Sequence, residues 1–165
     1  MTAEAVERVL RAARETIAKP RYCWAITPSA DGGANARGMQ RLANIGDDEW
    51  TVWFLTGGSS RKAGEIRRSG RMTVAYAHDA GGDCVALVGR AVLVTDRPLI
   101  HAHWQESWSR FFAGGRDDPN AAFVKVEISR IEICVERGTW TATLEREAQG
   151  PWRLLADSRA AGTAT

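Results

Sequence analysis

The residues best suited to chemistry lie in one short run, Thr56-Gly57-Gly58-Ser59-Ser60-Arg61-Lys62. Two glycines let the backbone turn sharply. Two serines offer N-caps to a helix that begins near Arg61. A helix start presents free N–H groups and the positive end of the helix dipole. Arg61 can grip two oxygens of an oxyanion, and Lys62 adds a mobile point charge. The run is an anion site by construction, although the same residues also suit a solvated basic helix start. It is not a Walker loop, because no Gly-Lys-Ser/Thr closes it. It is not a nucleophile elbow, because Gly-x-Ser-x-Gly is absent.

Other chemical groups carry less. His101 and His103 stand two apart on a predicted helix and face different ways, which argues against a metal site. His78 is alone at a strand end. Asp117 and Asp118 could bind a cation or act as a base, but Gly115 and Pro119 beside them favour a turn with an Asx-type cap. Arg61, Lys62, Arg67, Arg68 and Arg71 form a basic cluster. With a net charge of only +2 and no exposed stacking aromatics in view, no nucleic-acid partner is expected. No residue stands out as a catalytic acid or base.

The elements that must position this run read clearly. Residues from about Thr2 to Ala18 form an amphipathic helix with Val6, Val9, Leu10, Ala13 and Ile17 on one face, and Pro20 stops it. Tyr22 to Thr27 and Ala36 to Ile45 read as a hairpin across the turn at Pro28–Gly33. The β-branched and aromatic stretch Trp50 to Thr56 is a strand feeding the glycine turn. Trp53 and Phe54 point to opposite faces, so at least one is core. Arg71 to His78 and Cys84 to Thr95 are further strands, and Gly89 marks a bulge in the second. Asp96 caps a helix with Pro98 in its first turn, carrying Leu99, Ile100, His103, Trp104, Trp108 and Phe111. Ala122 to Glu136 is a long strand bent near Ser129-Arg130. Thr139 to Leu144 pairs back on it, and Trp152 to Leu155 adds an edge.

Length and composition set the frame: 165 residues, 44% hydrophobic and 25% charged, describe a single folded domain. Three distant cysteines with no CxxC fit buried thiols in a reducing cytoplasm. No apolar run approaches membrane length, and no signal-peptide core opens the chain. Core packing is the default use for most of the seven tryptophans. Six to seven strands joined mainly by hairpins predict a mainly β (α+β) fold, an antiparallel barrel with peripheral helices. We expect an N-terminal helix over 1–20 packed on a barrel domain over 21–156, with a disordered tail over 157–165.

At this level of detail the chain resembles a known family. The order is Arg37-Gly38-Met39-Gln40-Arg41, then Trp53-Phe54-Leu55-Thr56, then Ser60-Arg61-Lys62, then Gly114-Gly115-Arg116-Asp117-Asp118-Pro119. It is similar to the FMN-binding split-barrel superfamily typified by pyridoxamine 5′-phosphate oxidase, and most of all to its general-stress-protein branch. The resemblance covers roughly Tyr22 to Glu136. It implies that Ser60, Arg61 and Lys62 hold the FMN phosphate and that Thr56 meets the ribityl chain or phosphate. It implies that Arg37, Met39 and Arg41 lie along the flavin and that Trp104 or Trp108 walls the ring. It also implies a homodimer with flavins in clefts between subunits. The chain departs from the vitamin B6 oxidases in lacking an Arg-x-His pair near its C-terminal end. The implied activity is therefore a flavin-dependent oxidoreductase that does not oxidise vitamin B6. The alternatives are a non-catalytic flavin-binding stress protein, or a split barrel using deazaflavin or haem.

Overall fold

The computed structural model describes residues 3–43 and 45–159. Three α-helices, Ala3–Ile17 (α1), Arg61–Ser69 (α2) and Arg97–His103 (α3), accompany eight antiparallel strands. These are Cys23–Pro28 (β1), Ala34–Met39 (β2), Thr51–Gly57 (β3), Arg71–His78 (β4), Asp83–Val94 (β5), Ala121–Val135 (β6), Trp140–Glu145 (β7) and Arg153–Asp157 (β8). The strands run in the order β2-β1-β4-β5-β6-β7-β8, and β3 pairs with β6.

Strand β6 organises the sheet. One edge pairs with β5 along Phe123 to Cys134. The other edge pairs with β3 over Ala121 to Glu127 and then with β7 over Arg130 to Val135. Between these partners Ser129 is looped out, because the β5 register skips between Val88 and Gly89. The bulge expected at Gly89 is therefore present, and its reason is steric: a Cβ there would overlap the Glu127 carbonyl oxygen. A bridge from Leu42 to Trp53 closes the barrel between the end of β2 and β3.

The main core lies inside the barrel and under α1, whose Val9, Leu10, Ala13 and Ile17 recur at helical spacing and are buried. A second core, with Trp53, Ile100, Trp108 and Phe123, fills the space under α3. Phe54 faces the first core and Trp53 the second, so both aromatics of this pair are buried. Burying each such ring fully is worth about 1.5–3 kcal/mol against leaving it exposed.

Four expectations need correction. The return strand stops at Met39 and does not reach Ile45. Met39 pairs with Cys23, the first residue of β1, so nothing remains for Gln40 and Arg41 to pair with. The helix from Asp96 ends at His103 and does not carry Trp108 or Phe111. Trp104 leaves it in extended conformation and packs edge-on against Trp108 and Phe112, and the chain restarts as a 3₁₀ turn over Glu106–Arg110. Among the described residues the strands number eight, one more than the upper expectation. Asp157 is not tail: it closes β8 and accepts hydrogen bonds from Arg8 and Trp140 at 2.9 Å each. Ser158 and Arg159 continue this docking, and residues 160–165 of the expected tail lie outside the described residues.

Candidate functional site

The strand-to-helix connection forms as its residues demand. Strand β3 ends at Gly57, and the turn is braced by Asn120 just before β6. Gly58 N donates to the Asn120 carbonyl at 2.7 Å, and Ser59 N donates to its Oδ1 at 2.8 Å. The turn packs close, since a Cβ on Gly57 would meet Asn120 Nδ2 at 3.1 Å. Ser60 is the N-cap in extended conformation, its Oγ accepting from Ala63 N at 3.2 Å. Thr56 Oγ1 lies 3.3 Å from Ser60 Oγ, so the two hydroxyls face one another. Gly70, with φ of 62°, closes the far end of α2 in the left-handed region.

First-turn amides have no intrahelical acceptor. Ser60 Oγ takes the one from Ala63, which leaves those of Arg61 and Lys62 for a ligand. No acidic residue sits in this turn. The Arg61 side chain is 74% exposed, 3.8 Å from Glu65. Lys62 is half-buried, and no carboxylate among the described residues lies within salt-bridge distance of it. Burial pushes its pKa down, and the charge of Arg37 pushes it further.

Arg37 reaches this place from β2. It donates to Thr27 Oγ1 at 2.6 Å and to Glu65 Oε2 at 3.0 Å. Glu65 is buried and also accepts from Thr27 and Asn35, at 2.5 Å each. The Thr27 hydrogen bond leads in holding Glu65 below the usual carboxylate range, against its burial, with Asn35 and Arg37 adding to it. Two cations, Arg37 and Arg61, thus share one carboxylate already engaged with neutral donors, and Lys62 beside them has none among the described residues.

Of the residues expected at the site, Arg37, Thr56, Ser60, Arg61 and Lys62 are brought together. The others are placed elsewhere within the chain. Met39 packs on the main core, and its carbonyl accepts from the Cys23 thiol at 3.3 Å. Arg41 is exposed beyond the end of β2, and its charge acts on Tyr76 and Cys23. Trp104 and Trp108 meet edge to face, at 5.5 Å and 86°, in the second core, where Trp108 is buried. Three contributors escaped sequence reasoning. Glu65 could have been suspected as the only acid of α2, four residues after Arg61. Asn120 and Thr27 carry no local signal. The Asp117-Asp118 stretch forms the expected turn: Asp118 accepts from Gly114 N and Asn120 N, at 3.0 and 2.9 Å, and so presents Asn120 to the glycine turn.

Comparison with known proteins follows this geometry. The family described as "Pyridoxamine 5′-phosphate oxidase like" matches residues 9–145. A protein of Nostoc punctiforme PCC 73102, described as pyridoxamine 5′-phosphate oxidase-related and FMN binding, superimposes with a TM-score of 0.71 at 16% identity, over 94% of this chain and 99% of that one. A Clostridium acetobutylicum protein related to general stress protein 26 also gives 0.71, at 19% identity over 84% and 95% of the two chains. Protein bli-3 of Neurospora crassa is 22% identical over 105 residues, 59% of this chain and 50% of bli-3. The chain thus spans about half the length of that curated relative.

Proposed function

The chain belongs to the pyridoxamine 5′-phosphate oxidase like family, and on that premise we propose that it binds FMN and works as a flavin-dependent oxidoreductase that does not act on vitamin B6. The observation that carries this is the start of α2. Two free amides, the dipole end and three cations converge there, with no acid in the first turn. These residues fit a phosphate. Ser60, Arg61 and Lys62 would hold it, with Thr56 beside it and Arg37 behind Lys62. Met39, Arg41, Trp104 and Trp108 remain part of the proposal through the resemblance, not through a shared contact in this chain. Bound FMN supplies the redox chemistry, and the protein's part is to orient it and set its electrostatics.

The same reading includes a cytoplasmic homodimer. Tyr22, Phe111 and Leu155 expose large apolar side chains that a second copy would cover. Light scattering should return twice the chain mass. Among the described residues no helix is long and apolar enough to cross a membrane.

A second reading, flavin binding without catalysis, is favoured by one observation. Glu65, the carboxylate nearest the cations, is buried and engaged by Thr27, Asn35 and Arg37, so it is not free to move a proton. Visible flavin without turnover of any reductant would select it. The absorption spectrum of freshly purified protein, with mass spectrometry of what heating releases, separates FMN from deazaflavin and haem. Titration with FMN and with riboflavin tests the site itself. Replacing Arg61 and Lys62 by Ala removes charge-assisted hydrogen bonds worth about 1.5–3 kcal/mol each, roughly ten- to a hundred-fold in FMN affinity per residue. Riboflavin, which lacks the phosphate, should bind wild type and double variant alike. Unchanged FMN affinity in the double variant would remove the phosphate assignment.

A further inference from the structure

Cys84 on β5 and Cys134 on β6 stand directly opposite one another in the ladder. Residues paired this way project from the same face of a sheet, with Cβ atoms about 4.5–5.5 Å apart. That face is the outer one. Val85, Ile133 and Val135 turn inward and are buried, whereas Cys84 is exposed and Cys134 half-buried. The same row continues to Ala77 on β4 and Thr141 on β7, two short side chains, so rotation about the Cys134 Cα–Cβ bond, which now turns its sulfur towards Gly138, is free to bring it to Cys84. The row belongs to the floor of a concave face enclosing about 650 Å³. It also lies at a ladder end: Cys84 is the second residue of β5 and Cys134 the last but one of β6. A disulfide needs Cβ atoms about 3.5–4.5 Å apart, so closure asks for an approach of about 1 Å where the ladder is easiest to move.

We propose that Cys84 and Cys134 are a redox-active dithiol that closes to a cross-strand disulfide within one chain, using a low-molecular-weight disulfide as oxidant. The Cys84 thiolate, the more accessible, attacks one sulfur of the oxidant RSSR and expels RS⁻, leaving a mixed disulfide on Cys84. The Cys134 thiolate then attacks the Cys84 sulfur and expels the second RS⁻. Two protein S–H bonds are lost and one S–S bond forms. The oxidant is reduced to two RSH, which take up the two protons. The product is exposed and lies across neighbouring strands, the setting of a labile, reversible disulfide and not of a structural one. A transient disulfide of this kind is the form expected in a reducing compartment. Cys23 stands apart: it is buried in the main core and donates to the Met39 carbonyl.

The test treats native protein, in its own oligomeric state, with oxidised glutathione and then with a reductant. Free thiols per chain should fall from three to one and return. Peptide mapping should find Cys84 joined to Cys134, and a non-reducing gel should show monomer mass. Cys84→Ser and Cys134→Ser should each abolish closure while circular dichroism shows an unchanged fold. Stable glutathione adducts without closure, a crosslink through Cys23, a band at dimer mass, or three free thiols after treatment would each overturn the proposal.

Discussion

Two charged regions of this protein are built on opposite rules. Beside β7, Arg146 is 7% exposed, and each nitrogen of its guanidinium donates a hydrogen bond. It donates to the Ile128 carbonyl and to Asp48, both at 2.8 Å, and lies 4.7 Å over the ring of Trp152. Asp48 is matched in turn by Thr51 Oγ1 at 2.9 Å. Burial pushes the Asp48 carboxyl up, but its hydrogen bonds from Arg146 and Thr51 outweigh that and hold it below the usual range. At the start of α2, by contrast, Arg37 and Arg61 share one carboxylate, and Lys62, with none within salt-bridge distance among the described residues, has its pKa pushed down by burial and by Arg37. A matched pair is self-sufficient and ties Asp48, ahead of β3, to the end of β7. An unmatched cluster is electrostatically costly by itself and becomes favourable when an anion arrives. Function is sought in the second region for that reason, not because it is the more charged.

The largest effect should come from breaking the matched region. Asp48→Ala leaves Arg146 buried without its counter-ion, which costs about 3 kcal/mol and lowers Tm by roughly 6–12 °C. Calorimetry checks this, and the folded fraction should keep its FMN affinity. Replacing Arg61 and Lys62 by Ala in the unmatched region should do the reverse, leaving stability and removing affinity.

The pH dependence separates Lys62 by sign from the carboxylates of both regions. Asp48 and Glu65 have lowered folded pKa values. Their stabilisation is present above the unfolded values, about 3.9 for Asp and 4.3 for Glu, and is lost as pH falls through the lower folded values. Lys62 is a cation with a lowered pKa, so it binds its proton less well folded than unfolded. Its cost is present below the folded pKa and is relieved as pH rises from there towards the unfolded value of about 10.4. Urea midpoints should therefore fall in acid. In alkali the Cys23 thiol and the Tyr76 hydroxyl, both pushed up mainly by burial, lose stability as pH rises above their unfolded values of about 8.5 and 10, and so oppose the Lys62 relief. Lys62→Met should leave the acid fall and steepen the alkaline one. An alkaline limb unchanged in Lys62→Met would show that Lys62 supplies no relief.

Arg61→Glu sharpens the contrast at a smaller scale. An acid in the first turn suits the helix dipole but loses the 3.8 Å approach to Glu65 and faces it as a like charge, so apo stability should change by less than about 0.5 kcal/mol while FMN binding collapses. Chemical denaturation and flavin fluorescence, run side by side, read both effects. The smallest effect concerns the C-terminal end. Ending the chain after Asp157 removes two hydrogen bonds, from Ser158 N to the Thr141 carbonyl and from Thr141 N to Ser158 Oγ, and the Arg159–Glu136 ion pair. The loss should be about 1 kcal/mol at most, since exposed pairs contribute little. Ending it after Arg159 should cost nothing measurable. A large drop for the longer form would show that residues 160–165 dock.

What the sequence determined by itself was whatever one short stretch of chain can enforce. Thr56 to Lys62 specify a strand end, a glycine turn and a capped helix start within a single connection, and the chemistry of that start follows from backbone amides, a dipole and two side chains. Gly89 announced its bulge because a missing Cβ is a local fact, and the hairpins announced the antiparallel sheet. Tertiary structure alone decided what depends on register. Arg37 meets Glu65 because β2 pairs with β1 so that Arg37 faces Ala25, beside Thr27 and under α2. Arg41 falls outside because β1 starts at Cys23 and leaves it no partner. Asn120 braces the glycine turn, and Cys84 faces Cys134, through pairings that join residues about fifty or more positions apart. A one-residue slip in any of these ladders would turn the side chain to the other face, and no local signal in the sequence reports that choice.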